Sequence, residues 1–269
     1  MIIELSWVDI LLSALPLLFI IVILQRMRLG VSQQLFIGVL RTMVQLSLVG
    51  AVLTAVFQHE NPFWTISFSL VMLGTGTYEV TRRQKRRFKA GWSAALSLVG
   101  LMCAALLSTG YALLVVVDVS PWWKAQYAIP LLGMILGNTM NGVSLGLHTL
   151  TTGVWQQRAV VESRLALGES AQEAIKQIKR DCLRNALTPI MNALAVCGVV
   201  SLPGMMTGQI LAGNDPQVAA RYQMMIMYLI ASGCAAGCLV TLSLASKRLF
   251  DHRDRLRLDR LDTLDKSVG

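Results

Sequence analysis

The sequence predicts an all-α polytopic membrane protein of about seven transmembrane helices with a cytoplasmic helical coupling loop. Its amino terminus is expected outside and its carboxyl terminus in the cytoplasm. Three observations predict this. Of the 269 residues, 54% are hydrophobic and only 14% charged, against about a quarter charged in an ordinary soluble domain. Too few charges remain to coat a water-facing surface. Apolar runs approaching or exceeding the roughly 20 residues that a span needs recur along the chain, and the basic residues gather in alternate connections.

The apolar runs cover residues 6–25, 35–57, 63–80, 90–117, 125–147, 189–212 and 222–246. Polar or turn-forming residues separate them: Arg26 to Ser32, HENP at 59–62, RRQKRRFK at 82–89, DVSP at 118–121 and GNDP at 213–216. The fourth run is long and is expected to tilt. No short basic stretch followed by a small-residue cleavage site precedes the first run, which reads as a retained span. Of the 24 Lys and Arg residues, 21 fall in the connections after spans one, three and five and in the tail after span seven. Only Lys124 and Arg221 fall on the other side, and Arg41 lies within span two. With Glu4 and Asp9 near the amino terminus, the positive-inside rule sets the orientation. The domain reading is a membrane domain over 1–250, with a cytoplasmic loop at 148–188, and a charged cytoplasmic tail over 251–269.

The net charge of +9 is thereby explained as a topology signal. RRQKRRFK reads as a charge anchor beside membrane lipid, in preference to a grip on nucleic acid. The five cysteines, Cys103, Cys182, Cys197, Cys234 and Cys238, all lie in apolar or amphipathic stretches, which argues against a disulfide framework.

The loop at 148–188 has internal structure. WQQRAVVESRLALG has helical spacing and stops at Gly168. Ser170 and Glu173 then form an S-x-x-E capping box that should start a second helix. Ala171, Ile175, Ile178 and Cys182 recur as a narrow apolar stripe on that helix, and Pro189 marks its passage into span six. Glu162, Gly168 and Ile178, with Leu165 and Leu167 between, match the Glu, Gly and aliphatic spacing of the EAA-type loop of ABC-transporter permeases. Ser163 and Arg164 replace the usual alanines, and Lys179-Arg180-Asp181 stands where x-Leu-Pro is common. The competing reading is a helical hairpin that only connects two spans.

Polar residues inside the spans need partners, because an unpaired amide in hydrocarbon costs several kcal/mol. Asn138, Asn141, Ser144 and His148 are expected along one face of span five, and Gly133, Gly137, Gly142 and Gly146 allow close approach of another backbone. Interhelical packing and a substrate path both account for that face. In span six, Pro203-Gly204 should interrupt the helix, with Met205, Met206 and Gln209 following. Such breaks mark binding sites in transporters and also occur for shape alone. Arg41 and Glu79 are expected to pair near the cytoplasmic ends of spans two and three, a pair that a double charge swap should preserve. Snorkelling of Arg41 to the headgroups is the alternative. Cys234 and Cys238, one turn apart, suit a soft metal, but Gly233 and Gly237 beside them favour small-residue packing. No metal ligand is assigned.

No glycine is followed by lysine, so a P-loop is absent, and the three histidines are scattered. The chain is expected not to be an enzyme. LGMILGNTMNGVSLGL at 132–147 and SLPGMMTGQILAGNDPQVAARYQ at 201–223, joined by the EAA-like loop, resemble the FetB-like iron-export permeases. Plant aluminium-tolerance permeases share the pattern. The resemblance implies an inner-membrane, multi-pass permease, forming a homodimer and exporting iron in metal homeostasis and oxidative-stress resistance. ATP would be used by a separate, FetA-like ATPase, with no cofactor bound by this chain. Asn138, Asn141, Met205, Met206 and Gln209 are the expected path, and Glu162, Leu165, Gly168 and Ile178 the expected ATPase-coupling residues. The rival reading is a membrane scaffold or sensor that docks a cytoplasmic partner without transport.

Overall fold

The computed structural model describes residues 6–28, 30–58 and 61–263; Glu4 and His59 lie outside them. The first two helices form a hairpin. Ser6 and Asp9 make a reciprocal capping box at the start of α1 (Trp7–Arg26), and α2 (Ser32–Gln58) follows after a short basic turn. Asn61 caps α3 (Pro62–Arg83), whose first residue is the proline that tolerates a missing N–H there. A three-residue strand, β1 (Arg86–Phe88), separates α3 from α4 (Trp92–Val116). From Ala105 onward α4 widens into π-helical turns, which the sequence did not foretell.

The central helix is α5 (Ala125–Gln156). It runs nine residues past the expected end of span five, because LHTLTTGVWQ keeps a helical apolar face with no stop signal. Two short helices follow, α6 (Arg158–Ala166) and α7 (Ala171–Ala174), then α8 (Lys176–Val196). Pro189 lies inside α8 and does not begin a new element. The chain then leaves helical geometry until Pro203, the N-cap of α9 (Gly204–Leu211). Gly213 adopts φ +92°, and Asp215 accepts the N–H groups of Gln217 and Val218 to start α10 (Pro216–Arg248).

Five of these helices are long and apolar enough to cross a membrane: α1, α2, α4, α5 and α10. The chain is thus a multi-pass helical membrane protein. The runs at 63–80 and 189–212 also become helix, as α3 and as the α8–α9 pair, but do not reach the same standard. Serines, threonines and Glu79 dilute the apolar character of α3, and 189–212 is split by the break before Pro203.

The core sits where α5 packs against α3, α4, α8 and α10, and where α10 packs against α4. Small residues set these distances. A methyl carbon at Gly142 would stand 2.9 Å from both Cys234 and Cys238 Sγ and 3.1 Å from the Ala186 carbonyl. One at Gly237 would stand 2.6 Å from Thr139 Cγ2 and 2.9 Å from the Gly100 carbonyl. The two cysteines are therefore packing groups on the glycine face of α5. By contrast, α1 and α2 pack mainly on each other and bury almost nothing.

At the end of the bundle that carries the basic residues, the tail is folded. β2 (Leu261–Thr263) pairs antiparallel with β1, Phe88 opposite Leu261, and Phe88, Phe250 and Leu261 are buried. The charged tail expected over 251–269 thus becomes, through residue 263, a ribbon with the RRQKRRFK connection. Arg86 stacks on Trp155 at 4.0 Å, and Asp254 accepts the Ala171 N–H at the start of α7.

Gly237→Ala should lower stability by about 1–3 kcal/mol through overpacking. Gly50→Ala, where no atom lies within 4 Å, should not lower it. Thermal unfolding of the two variants in matched detergent checks the contrast.

Candidate functional site

Helical geometry places Pro130, Met134, Asn138, Asn141, Leu145 and His148, spaced by three or four residues, on one seam of α5. Asn138, Asn141 and Leu145 are exposed. Ser144, expected on this face, is buried: it lies off the seam by its helical angle, and Leu145 takes the outward place. Asn138 donates to the Met134 carbonyl at 2.8 Å, so part of its amide need is met within its own helix.

The seam begins, at the end opposite the basic residues, in a cavity of about 280 Å³ between α5, α9 and α10. Met134, Met205 and Met225 bring three thioethers to it, and Gln209 brings a carboxamide whose buried oxygen has no hydrogen-bond partner. The structure therefore joins Met205 and Gln209 to the seam, whereas Met206 does not line the cavity. Met134 and Met225 were missed because methionine in a span reads as filler; only the long-range approach of α9 to α5 and α10 makes them neighbours. Among the described residues, no group of three or more His, Cys, Asp or Glu could hold a metal ion.

Further along, Arg83 donates to Asn141 Oδ1 at 2.9 Å and approaches Glu79 Oε1 at 3.3 Å. Arg41 Nη1 lies 3.8 Å from Glu79 Oε2. All three charged residues line a cavity of about 450 Å³ between α2, α3 and α5, with Gln45 beside them. Arg83 was assigned to the charge anchor from its place in RRQKRRFK; α3 instead carries it as the i+4 neighbour of Glu79. One carboxylate thus serves two guanidinium groups, and a single pair is too simple a description.

The second feature is the elbow. Val161 is buried and Leu165 packs against the core, while Glu162 is exposed. The Gly168 N–H bonds to the Leu165 carbonyl and the Glu169 N–H to the Arg164 carbonyl. With Gly168 at φ +94°, this is a Schellman stop, which needs glycine at that place. Ser170 and Glu173 then close a capping box, and the Ser170 hydroxyl and N–H hold the Glu173 carboxyl below its ordinary range. Ala171, Ile175, Ile178 and Cys182 are all buried, and burial pushes the Cys182 thiol up to about 12. Leu165 and Ile178 therefore fasten the elbow to the bundle. Leu167 stands out at its tip, 85% exposed.

A helical bundle with five long apolar helices, an interrupted helix, a charge cluster between helices and a capped helical elbow defines a class of polytopic membrane protein. The chain belongs to the uncharacterised protein family UPF0014, whose profile matches residues 7–250. It is 36% identical to the UPF0014 membrane protein slr1647 of Synechocystis over 94% of this chain and 97% of that one. It is 28% identical to the "Probable iron export permease protein FetB" of Escherichia coli K12, over 92% and 95% of the two chains. Protein ALUMINUM SENSITIVE 3 of Arabidopsis thaliana is 30% identical, over 85% and 82%. No solved structure matches.

Glu79→Gln should cost about 1–2 kcal/mol, since it takes the shared anion from two half-exposed guanidinium groups. Arg41→Gln should cost under about 1 kcal/mol, because Arg41 is half exposed. The swap of Arg41→Glu with Glu79→Arg should fail to restore stability, as it sets a new cation beside Arg83. Unfolding of all three in bilayer discs decides the order.

Proposed function

We propose that this chain is the membrane-spanning permease subunit of an ABC transporter that exports iron, driven by a separate ATPase. The supporting observation is the elbow: a helix, a Schellman stop and a capped helix, anchored by a buried stripe and presenting an exposed leucine at its tip. An exposed aliphatic knob on a rigid base is what a soluble engine can grip.

In this reading the basic end faces the cytoplasm, the amino terminus lies outside, and all seven apolar segments cross a bacterial inner membrane. The chain works as a homodimer. Cys197 to Pro203 interrupts span six, and there Val199 and Val200 are 89% and 80% exposed. Non-helical backbone at membrane depth must be covered by protein or line a water-filled cavity. A second copy across the α5 seam provides both. The path runs from the cavity of Met205 and Gln209 past Asn138 and Asn141 to the Glu79 cluster.

Iron comes from the name of the Escherichia coli relative. The donors refine it. Thioethers and amides are weak ligands for a hard cation, and two guanidinium groups against one carboxylate leave the inner cavity net positive. Both features suit a neutral or anionic iron chelate better than a bare ion.

The test is ATP turnover of the chain reconstituted with its ATPase, with ferrous ion, ferric ion or ferric citrate supplied on the cytoplasmic side. Ferric citrate should stimulate turnover most. Leu167→Asp should reduce the stimulation at least about tenfold, the effect of losing ~1.4 kcal/mol of docking energy, with helical content unchanged. Full ATPase binding without metal-dependent turnover would support the scaffold reading instead.

A further inference from the structure

We propose that the junction of α4, α10 and the folded tail is a binding site for the phosphate of an anionic glycerophospholipid. It goes beyond the transport reading and shares with it only the cytoplasmic placement of the basic end. A cavity of about 470 Å³ opens there, and its two halves differ in chemistry. Leu96 and Val99 of α4 and Leu244 of α10 wall the half that lies deeper in the spans. Lys247, Arg248 and Arg260 ring the other half. An acyl chain fits the first and a phosphodiester the second.

Three details separate this from an ordinary cluster of basic residues. The Arg248 guanidinium is stacked 4.1 Å over the Trp92 ring, which fixes its plane and leaves its edge for an acceptor. Its buried Nε has no hydrogen-bond partner, although an unpaired buried donor of this kind is costly. Among the described residues, neither Lys247 nor Arg248 forms an ion pair. Asp251 also lines the cavity, but its Oδ1 accepts the Arg253 and Arg255 N–H groups at 2.9 Å each. It braces the tail and offsets one of the three cations, leaving the ring net positive. Arg260 is itself positioned, donating to the Arg248 and Phe250 carbonyls at 2.8 and 3.0 Å.

Helix-dipole complementarity alone explains cations in the last turn of α10. It does not explain an apolar wall beneath them or a guanidinium held flat against an interfacial tryptophan. Tryptophan at the headgroup level and cations just outside it are the recognition elements of an anionic leaflet. A soluble phosphate shares the polar contacts but has no use for Leu96, Val99 and Leu244.

The test is thermal unfolding of delipidated full-length protein in detergent, with phosphatidylglycerol, phosphatidylcholine or inorganic phosphate added. Phosphatidylglycerol should raise the unfolding temperature by about 4 °C at ten times its dissociation constant, with the other two adding nothing comparable. The paired variant Lys247→Gln with Arg248→Gln should lose that increment. A control pair, Arg253→Gln with Arg255→Gln, removes equal charge from exposed tail positions that do not line the cavity and should keep it. Should the first pair fold poorly, Lys247→Gln alone, at an exposed position, should lose most of the increment. Equal stabilisation by phosphatidylcholine or by free phosphate overturns the proposal, as does an increment that survives in the cavity variants.

Discussion

Everything in this bundle depends on how closely α10 can approach α5 and α4. Lipid tails are as apolar as leucine, so spans gain little by hiding apolar side chains from lipid, and association rests on packing and hydrogen bonds. Here the packing is done by atoms that are missing. Gly142 admits two cysteine sulfurs, Gly237 admits Thr139 and the Gly100 carbonyl, and Gly233 faces Ser108 so closely that a methyl would stand 2.7 Å from its Oγ. Those contacts lie along one face of α10, and α4 meets that face through its π-helical turns as well as its α-helical ones. The widened turns let Ser108 also approach Ser232, 3.3 Å away.

Such packing is saturated on the inner faces of α5 and bare on the seam. Because α3, α4, α8 and α10 take the remaining circumference of α5, Asn138 is left exposed on the seam, and Asn141 meets only Arg83 at the end of α3. The non-helical stretch before α9 is exposed as well at Val199 and Val200, although the Gly198 to Ser201 N–H groups bond within the stretch, to the Val196 and Ser201 carbonyls. The α1–α2 hairpin packs mainly on itself and meets the rest of the chain at the Glu79 cluster and, through Val56 and Phe57, beside Thr65 of α3.

Much of this was legible in the sequence. Apolar length located the helices, and the capping box and Gly168 located the elbow, because these signals are local. The approach of Arg41 to Glu79 was expected from their common depth, against the alternative that Arg41 snorkels, and Arg41 comes within 3.8 Å while staying half exposed. What was not legible depends on long-range registration. Nothing in RRQKRRFK announces that Arg86–Phe88 will pair with Leu261–Thr263, since three-residue strands leave no periodicity. Leu165 and Leu167 look equivalent in sequence, and only the phase of α6 against the core sends one inward and the other out. The three methionines meet because α9 folds back, a consequence of a break whose position was visible but whose direction was not.

The elbow and the polar seam are mechanically connected by α8. The buried stripe from Ala171 to Cys182 continues through Ala186 and Ile190, and Ala186 is the residue that Gly142 and Gly146 of α5 admit closely. A displacement of the elbow therefore cannot be absorbed between α6 and the bundle, since interiors packed at this distance resist compression. It must appear either at the glycine contact, as α8 sliding on α5, or at the far end of α8, where helical structure stops at Val196. The contact with Gly142 is bounded by sulfur on one side and a carbonyl on the other, so sliding meets steric resistance. Within the chain the break offers none, since Val199 and Val200 are exposed. If, as proposed, an ATPase acts at Leu167, the motion should thus emerge between Cys197 and Pro203, just before the helix that carries Met205 and Gln209 to their cavity.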